Sequence, residues 1–167
     1  QVKEELNIYI LTMSLETEKC SCRAVSDSTV RFLDQRVKKE NPNNTVVRID
    51  ASELFRAELP TANLNTRFTP CCMLRLFADE IPALPDKLLY LDADVVCRKD
   101  CRKFYDQDIS GCELIGILDH YGKWFFRRNP FRMDYINSGV LLLNMDRIRR
   151  DGLFRECRRM CREKKMF

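Results

Sequence analysis

The stretch PDKLLYLDADVVCRKD, residues 85–100, decides how this chain is read. From Lys87 an apolar run leads to Asp92-Ala93-Asp94 and resumes at Val95-Val96. Residues 87–96 therefore read as one nearly continuous β-strand. Side chains two apart on a strand point the same way, which would set Asp92 and Asp94 on one side. Two carboxylates held together repel, and burying them without a cation is costly. A hard divalent ion, Mg²⁺ or Mn²⁺, takes such oxygen ligands and bridges them to a substrate's phosphates. A bare D-x-D also ends many strands as a water-facing turn, so the pair alone does not fix the chemistry.

The flanking sequence supplies the context. LNIYILTM (6–13) and TVVRID (45–50) read as strands, as do ELIGILD (113–119) and YINSGVLLLNM (135–145). Between the first two, residues 16–42 carry a helical stripe through Val30, Leu33 and Val37, closed by Asn41-Pro42-Asn43-Asn44. TPCCMLRLFADEIP (69–82) reads as a helix, with Pro70 in its first turn and Pro82 beyond its end. DRIRRDGLFRECRRMCREKK (146–165) reads as a basic helix broken near Gly152. Strands alternating with helices predict an α/β fold with a mainly parallel central sheet. In such sheets ligands gather outside the carboxyl ends of the strands, where Asp92 and Asp94 fall.

The 167 residues suit one domain, with 45% hydrophobic and 32% charged residues. A net charge of +4 is too small to argue for nucleic acid. No apolar run is long enough to cross a bilayer, and the polar start lacks a signal peptide's apolar core. Nine cysteines include C-x-C (Cys20, Cys22), an adjacent pair (Cys71, Cys72) and C-x3-C pairs (Cys97/Cys101, Cys157/Cys161). None has the C-x2-C spacing of structural zinc. Reduced, mostly buried thiols in a reducing, cytoplasmic setting are the expectation, with a disulfide, then a zinc site, as the lesser alternatives. Arg147, Arg149, Arg150, Arg155, Arg158, Arg159, Arg162, Lys164 and Lys165 crowd the last helix. They are read as a solvated face, with weak peripheral contact to an inner membrane as the alternative. The chain starts at Gln1 and stops just past a helix, so a single catalytic domain, 1–167, truncated at both ends is expected.

Two enzyme classes carry D-x-D at a strand end. DADVV is similar to the first motif of haloacid-dehalogenase-like phosphatases, in which Asp92 would be the phosphoryl-accepting nucleophile. That motif ordinarily ends the first strand, whereas here two strands come earlier. The ordered set RFTPCCMLRLFADEIP, DKLLYLDADVVCRKD, IGILD and DYINSGVLLLNMDRIRRDGLF resembles glycosyltransferase family 8 from about residue 6 onward. That group includes glycogenin and the bacterial lipopolysaccharide glucosyl- and galactosyltransferases.

The resemblance implies a GT-A type Rossmann-like sandwich. It further implies a metal-dependent, retaining transfer of a hexose from a UDP-sugar to an acceptor hydroxyl on a glycan, lipid-linked glycan or protein. Lipopolysaccharide or other cell-surface glycan synthesis would be the setting. By the same resemblance Asp92 and Asp94 bind Mn²⁺ or Mg²⁺, and Asp92, Ala93 and Asp94 bind the donor. Arg75, in Met-Leu-Arg-Leu where the family has Y-A-R-L, approaches the donor. Asp119 and Asn137 serve the reacting sugar, and Asn137, Ser138 and Gly139 form the turn beside it. His120 does not match the family's metal-binding histidine and reads as a loop residue near the site. A non-catalytic nucleotide-sugar-binding remnant is the remaining alternative.

Overall fold

The computed structural model describes residues 4–18, 21–58, 60–64, 70–119 and 135–164. His120, Cys20 and Lys165 lie outside the described residues. The chain forms two compact units, residues 1–84 with 152–167, and residues 85–151.

In the first unit, β1 (Asn7–Thr12) pairs in parallel with β4 (Thr45–Asp50), from Asn7 opposite Thr45 to Thr12 opposite Asp50. Helix α1 (Asp27–Lys38) connects them. It begins later than the helical stripe suggests. Instead, β2 (Leu15–Glu16) pairs antiparallel with β3 (Ser21–Cys22) ahead of it. Hydroxyls then steer the chain away from helix. Ser14 Oγ accepts from the Ala24 N–H at 3.1 Å, and Thr12 Oγ1 accepts from the Val25 N–H at 3.0 Å. Ser26 caps α1 by accepting from the Thr29 N–H. Val30, Leu33 and Val37 are half-buried.

Helix α2 (Ser52–Ala57) follows β4. The helix expected over 69–82 spans Pro70–Glu80 and winds as a 3-10 helix. Met13, Leu15, Ala51, Phe55, Leu74 and Phe77 form the core, with Phe55 and Phe77 ring centroids 5.3 Å apart. The last helix is broken at Gly152, whose φ of 72° is the left-handed conformation that glycine tolerates best. Beyond it lies Leu153–Glu163, here called α5, since Met145–Asp151 of the other unit is α4.

The solvated-face reading of the basic helix needs correction at Arg158, which is 2% exposed. Its guanidinium donates to Asp79, to Glu80 (2.7 Å), to Glu58 (3.3 Å) and to the Leu76 carbonyl, and lies over the Phe77 ring. Burial pulls its pKa down, but the hydrogen bond and charge of Asp79, with Glu58 and Glu80, outweigh that and raise it. A buried arginine persists only when its donors meet carboxylates in this way. Arg159 pairs with Glu156 and Glu163, and Arg162 with Glu58. These charges are committed to partners within the unit rather than offered as an open cationic face.

The second unit is a three-stranded sheet in the order β5 (Lys87–Leu91), β7 (Ile136–Asn144), β6 (Leu114–Leu118). β5 and β6 run in the same sense, and β7 lies between them antiparallel to both. The short helix α3 (Arg102–Tyr105) falls between β5 and β6. Leu141, Leu142 and Leu143 of β7 are buried, as are Met145 and Ile148 of α4. The Met145 N–H donates to the Asp86 carbonyl at 2.7 Å, and Arg149 pairs with Asp86, so α4 is fastened to the start of β5. Arg147 and Arg150 likewise pair with acids of this unit.

Candidate functional site

β5 stops at Leu91, five residues short of the strand expected over 87–96. One more rung follows it: the Asp92 N–H donates to the Gly139 carbonyl at 2.9 Å. The chain then turns, with the Val95 N–H on the Asp92 carbonyl at 3.0 Å. Strand alternation therefore governs Asp92 but not Asp94, which is set by the turn. Val96 is 81% exposed, so the apolar residues after the motif are not a buried strand. Asp92 is half-buried, while Ala93 and Asp94 are exposed.

Asp92 is held from two sides. Tyr90, two residues back on the same side of β5, donates its hydroxyl to Asp92 Oδ1 at 2.5 Å. Gly139 lies against the other oxygen: a Cβ there would stand 2.8 Å from Asp92 Oδ2 and 3.2 Å from Asn137 Oδ1. Gly139 does not have a positive φ, so glycine is required by close approach rather than by backbone conformation. The Asp92 carboxylate and the Asn137 amide thus converge on the space above the Gly139 Cα.

The Asn-Ser-Gly segment, read from the resemblance as a turn, with a structural bulge as the other reading, has the second form. It is a bulge inside β7, where pairing with β6 jumps from Gly116–Leu141 to Ile117–Asn137. Residues 138–140 are extra on that side, while Val140 still pairs with Leu91. Asn137 spans the bulge through Oδ1, which accepts from the Gly139 N–H at 2.8 Å. Asn137 and Ser138 are exposed and Gly139 is buried.

Asp119 follows the last residue of β6, and its N–H donates to the Tyr135 carbonyl at 2.8 Å. The register puts Ile117 opposite Asn137 and Leu118 opposite Ile136. Asp119 is therefore a diagonal neighbour of Asn137 on the same face, a relation that spans about 7–8 Å. Asp92, Ala93, Asp94, Asp119, Asn137, Ser138 and Gly139 all belong to this unit. Arg75 belongs to the other, on the 3-10 helix, where its Nε donates to the Cys72 carbonyl at 2.9 Å.

Two oxygen-bearing acids at one turn suit a hard divalent cation. Among the described residues no group of three or more His, Cys, Asp or Glu is gathered to hold an ion. Mg²⁺ sites commonly take only one or two carboxylates, with phosphates and water completing the shell. Zinc is poorly suited, because structural zinc takes four protein ligands. The cysteines also depart from expectation: of the eight described, none is buried, and Cys71, Cys72 and Cys97 are exposed. Tyr90 was not singled out from the sequence, although its place two residues before Asp92 is the available signal.

The sequence was compared with known proteins. It is 37% identical to glucoside xylosyltransferase 1 from Gallus gallus, over 50% of this chain and 21% of that protein. It is 34% identical to glucoside xylosyltransferase 2 from Xenopus laevis, over 49% and 22%. A probable glycosyl transferase Gly from Streptococcus gordonii is 29% identical, over 59% and 13%. The matched segments thus span about a fifth or less of these relatives. Among solved structures, a complex of the galactosyltransferase LgtC with donor and acceptor sugar analogues superposes with a TM-score of 0.62 at 22% identity, over 84% of this chain and 53% of that one. The WbbM bifunctional glycosyltransferase gives 0.64 at 15% identity, over 84% and 28%. These likenesses show the fold, an α/β fold of the GT-A type. Residues 3–166 match the profile of glycosyl transferase family 8, nearly the full length, and the chain belongs to that family.

Proposed function

We propose that this chain carries the donor-binding centre of a metal-dependent, retaining glycosyltransferase that moves a sugar from a UDP-sugar to an acceptor hydroxyl. The observation that carries the reading is the convergence of the Asp92 carboxylate and the Asn137 amide above Gly139. Asp92 and exposed Asp94 would hold Mn²⁺ or Mg²⁺ against the donor's diphosphate. The ion would supply Lewis-acid stabilisation of the charge gathering on the departing phosphate. Asn137 would orient the donor sugar through its amide, with Asp119 on the same face and Ser138 lining the approach. Arg75 belongs to the other unit and is given no role in this centre. Membership of a transferase family removes the ground for reading Asp92 as a phosphatase nucleophile.

A hexose donor is what the family resemblance implies. The two relatives above 30% identity are named as glucoside xylosyltransferases, which supports a second reading: a pentose donor and an acceptor that already carries glucose. Cell-surface glycan synthesis accommodates either. The proposed setting is cytoplasmic, a reading that rests on reduced thiols, and the exposure of the described thiols does not decide their redox state. Among the described residues no helix is long and apolar enough to cross a membrane.

Calorimetry with UDP should show binding that requires Mn²⁺ or Mg²⁺, and Asp94→Ala should abolish the metal requirement while leaving the fold intact. Metal-independent UDP binding, equal in both proteins, would sink the proposal. Competition by UDP-glucose, UDP-galactose and UDP-xylose then ranks the donors.

A further inference from the structure

We propose that Cys22 and Cys71 form a disulfide that ties the β2–β3 pair to the start of the 3-10 helix carrying Arg75. Their Sγ atoms stand 3.2 Å apart across 49 positions of sequence, in one compact unit. A bonded pair is separated by about 2.05 Å, so closure asks for a shift of roughly 1 Å. Cys22 sits on β3, whose partner Leu15 belongs to the core, and Cys22 itself packs against that core. Cys71 is the second residue of the helix whose Leu74 and Phe77 belong to the same core. Both ends are therefore placed by packing, and the two sulfurs meet at its margin.

Accessibility favours the reaction. Cys71 is exposed and Cys22 half-buried, so Cys71 is the entry thiol. Its thiolate attacks a small-molecule disulfide such as oxidised glutathione. One glutathione leaves as a thiol, and a mixed disulfide remains on Cys71. The Cys22 thiolate then attacks the Cys71 sulfur and expels the second glutathione. Two electrons pass from the protein to the oxidant, and the two protein thiol protons end on the two released glutathiones. The Cys157 and Cys161 pair on α5 behaves differently, since burial pushes both thiols up and leaves little thiolate.

The bond would close a loop containing α1, β4 and α2. It would also fix the helix one turn before Arg75, whose Nε already holds the Cys72 carbonyl. Any effect on donor affinity rests on the transferase reading, whereas the bond itself does not.

The test is peptide mapping of the chain after incubation with oxidised glutathione, alkylation and trypsin. Tryptic cleavage places Cys20 with Cys22 in residues 20–23, and Cys71 with Cys72 in residues 68–75, so variants assign the bond. The Cys20→Ser/Cys72→Ser double variant should retain the cross-linked pair of peptides, and Cys71→Ser should lose it. Loop closure predicts a Tm higher by on the order of 10 °C in the oxidised chain, absent in Cys71→Ser. A cross-link that persists in Cys71→Ser, or one missing from the folded double variant, overturns the proposal. Neither readout involves sugar donor, so either result leaves the transferase reading to its own test.

Discussion

Gly139→Ala is the most revealing single change. It adds one carbon at the point where the site converges. The new Cβ would stand 2.8 Å from Asp92 Oδ2, closer than such carbons are found to rest, and a tight 3.3 Å from Asp92 Cγ. The Gly139 backbone cannot retreat easily, because its carbonyl holds the Asp92 N–H and its N–H is held by Asn137. The carboxylate must rotate instead, and rotation strains its bond from the Tyr90 hydroxyl. A side chain forced about 30° off its rotamer costs ~0.5–1.5 kcal/mol, and a weakened hydrogen bond adds on the order of 1 kcal/mol. The expected loss of stability is thus roughly 1–2 kcal/mol, small enough to leave the chain folded. The effect on ligand should be larger. Misplacing a metal ligand's support typically costs about 10–100-fold in affinity. Urea denaturation measures the first quantity, and calorimetric titration of UDP in the presence of Mn²⁺ measures the second. A folded Gly139→Ala protein that binds UDP with wild-type, metal-dependent affinity would refute the placement of Asp92 as a ligand.

Tyr90→Phe removes the hydroxyl on Asp92 and no bulk, so Mn²⁺-dependent UDP affinity should fall about 10-fold with stability changed by ~1 kcal/mol or less. Arg158→Ala strips the partner from Asp79, whose side chain is 7% exposed, and should cost roughly 3–5 kcal/mol in urea unfolding. Hydrogen bonds from the Ser52 hydroxyl and N–H hold the Asp50 carboxyl below the usual range. Its folded pKa is depressed, so its contribution is present above the unfolded value of about 3.9 and is lost as pH falls through the lower folded value. Asp50→Asn should therefore be less stable than the parent at neutral pH, and the gap in urea midpoint should close in acid.

The strands were legible because their signal is local. TVVRID maps onto β4 residue for residue, and the runs at 6–13, 113–119 and 135–145 each shrink by only a residue or so at either end. Gly152 broke the basic helix where expected. Pairing sense was less legible. The parallel pairing read from alternation holds for β1 and β4, and β5 and β6 share a direction, but β7 lies reversed between them. Nothing in INSGVLLLN marks its direction, since a strand buried among neighbours reads alike either way. Residues 16–26 misled because Glu, Lys and Ala there have helical propensity, while the opposing capping groups Thr12, Ser14 and Ser26 act through hydroxyls that leave no periodic trace. The D-x-D follows a strand, but its geometry was not legible: β5 stops at Leu91 and the chain turns after Asp92, which the apolar Val95-Val96 that follow disguise.

The reversed strand changes why the site is where it is. In a parallel sheet the ligand groups leave the carboxyl ends of strands, as Asp92 does, but Asn137 does not. It is instead the second residue of β7, and it reaches Asp92 because an antiparallel strand brings its beginning to its neighbours' ends. The bulge then divides the asparagine's two functions. A backbone N–H can only donate, so the group facing Gly139 must be the Asn137 oxygen, and the Nδ2 hydrogens are left to point elsewhere. An aspartate at this position could hold the bulge but would offer no donor and would add a charge beside Asp92. An alanine would offer neither. Asparagine is the side chain of this size that closes the bulge with one end and, under the proposed function, would present hydrogen-bond donors to a sugar with the other. A residue fixed in this way presents its donors with little conformational freedom left to lose, which is the condition for orienting a ligand without paying for order at the moment of binding.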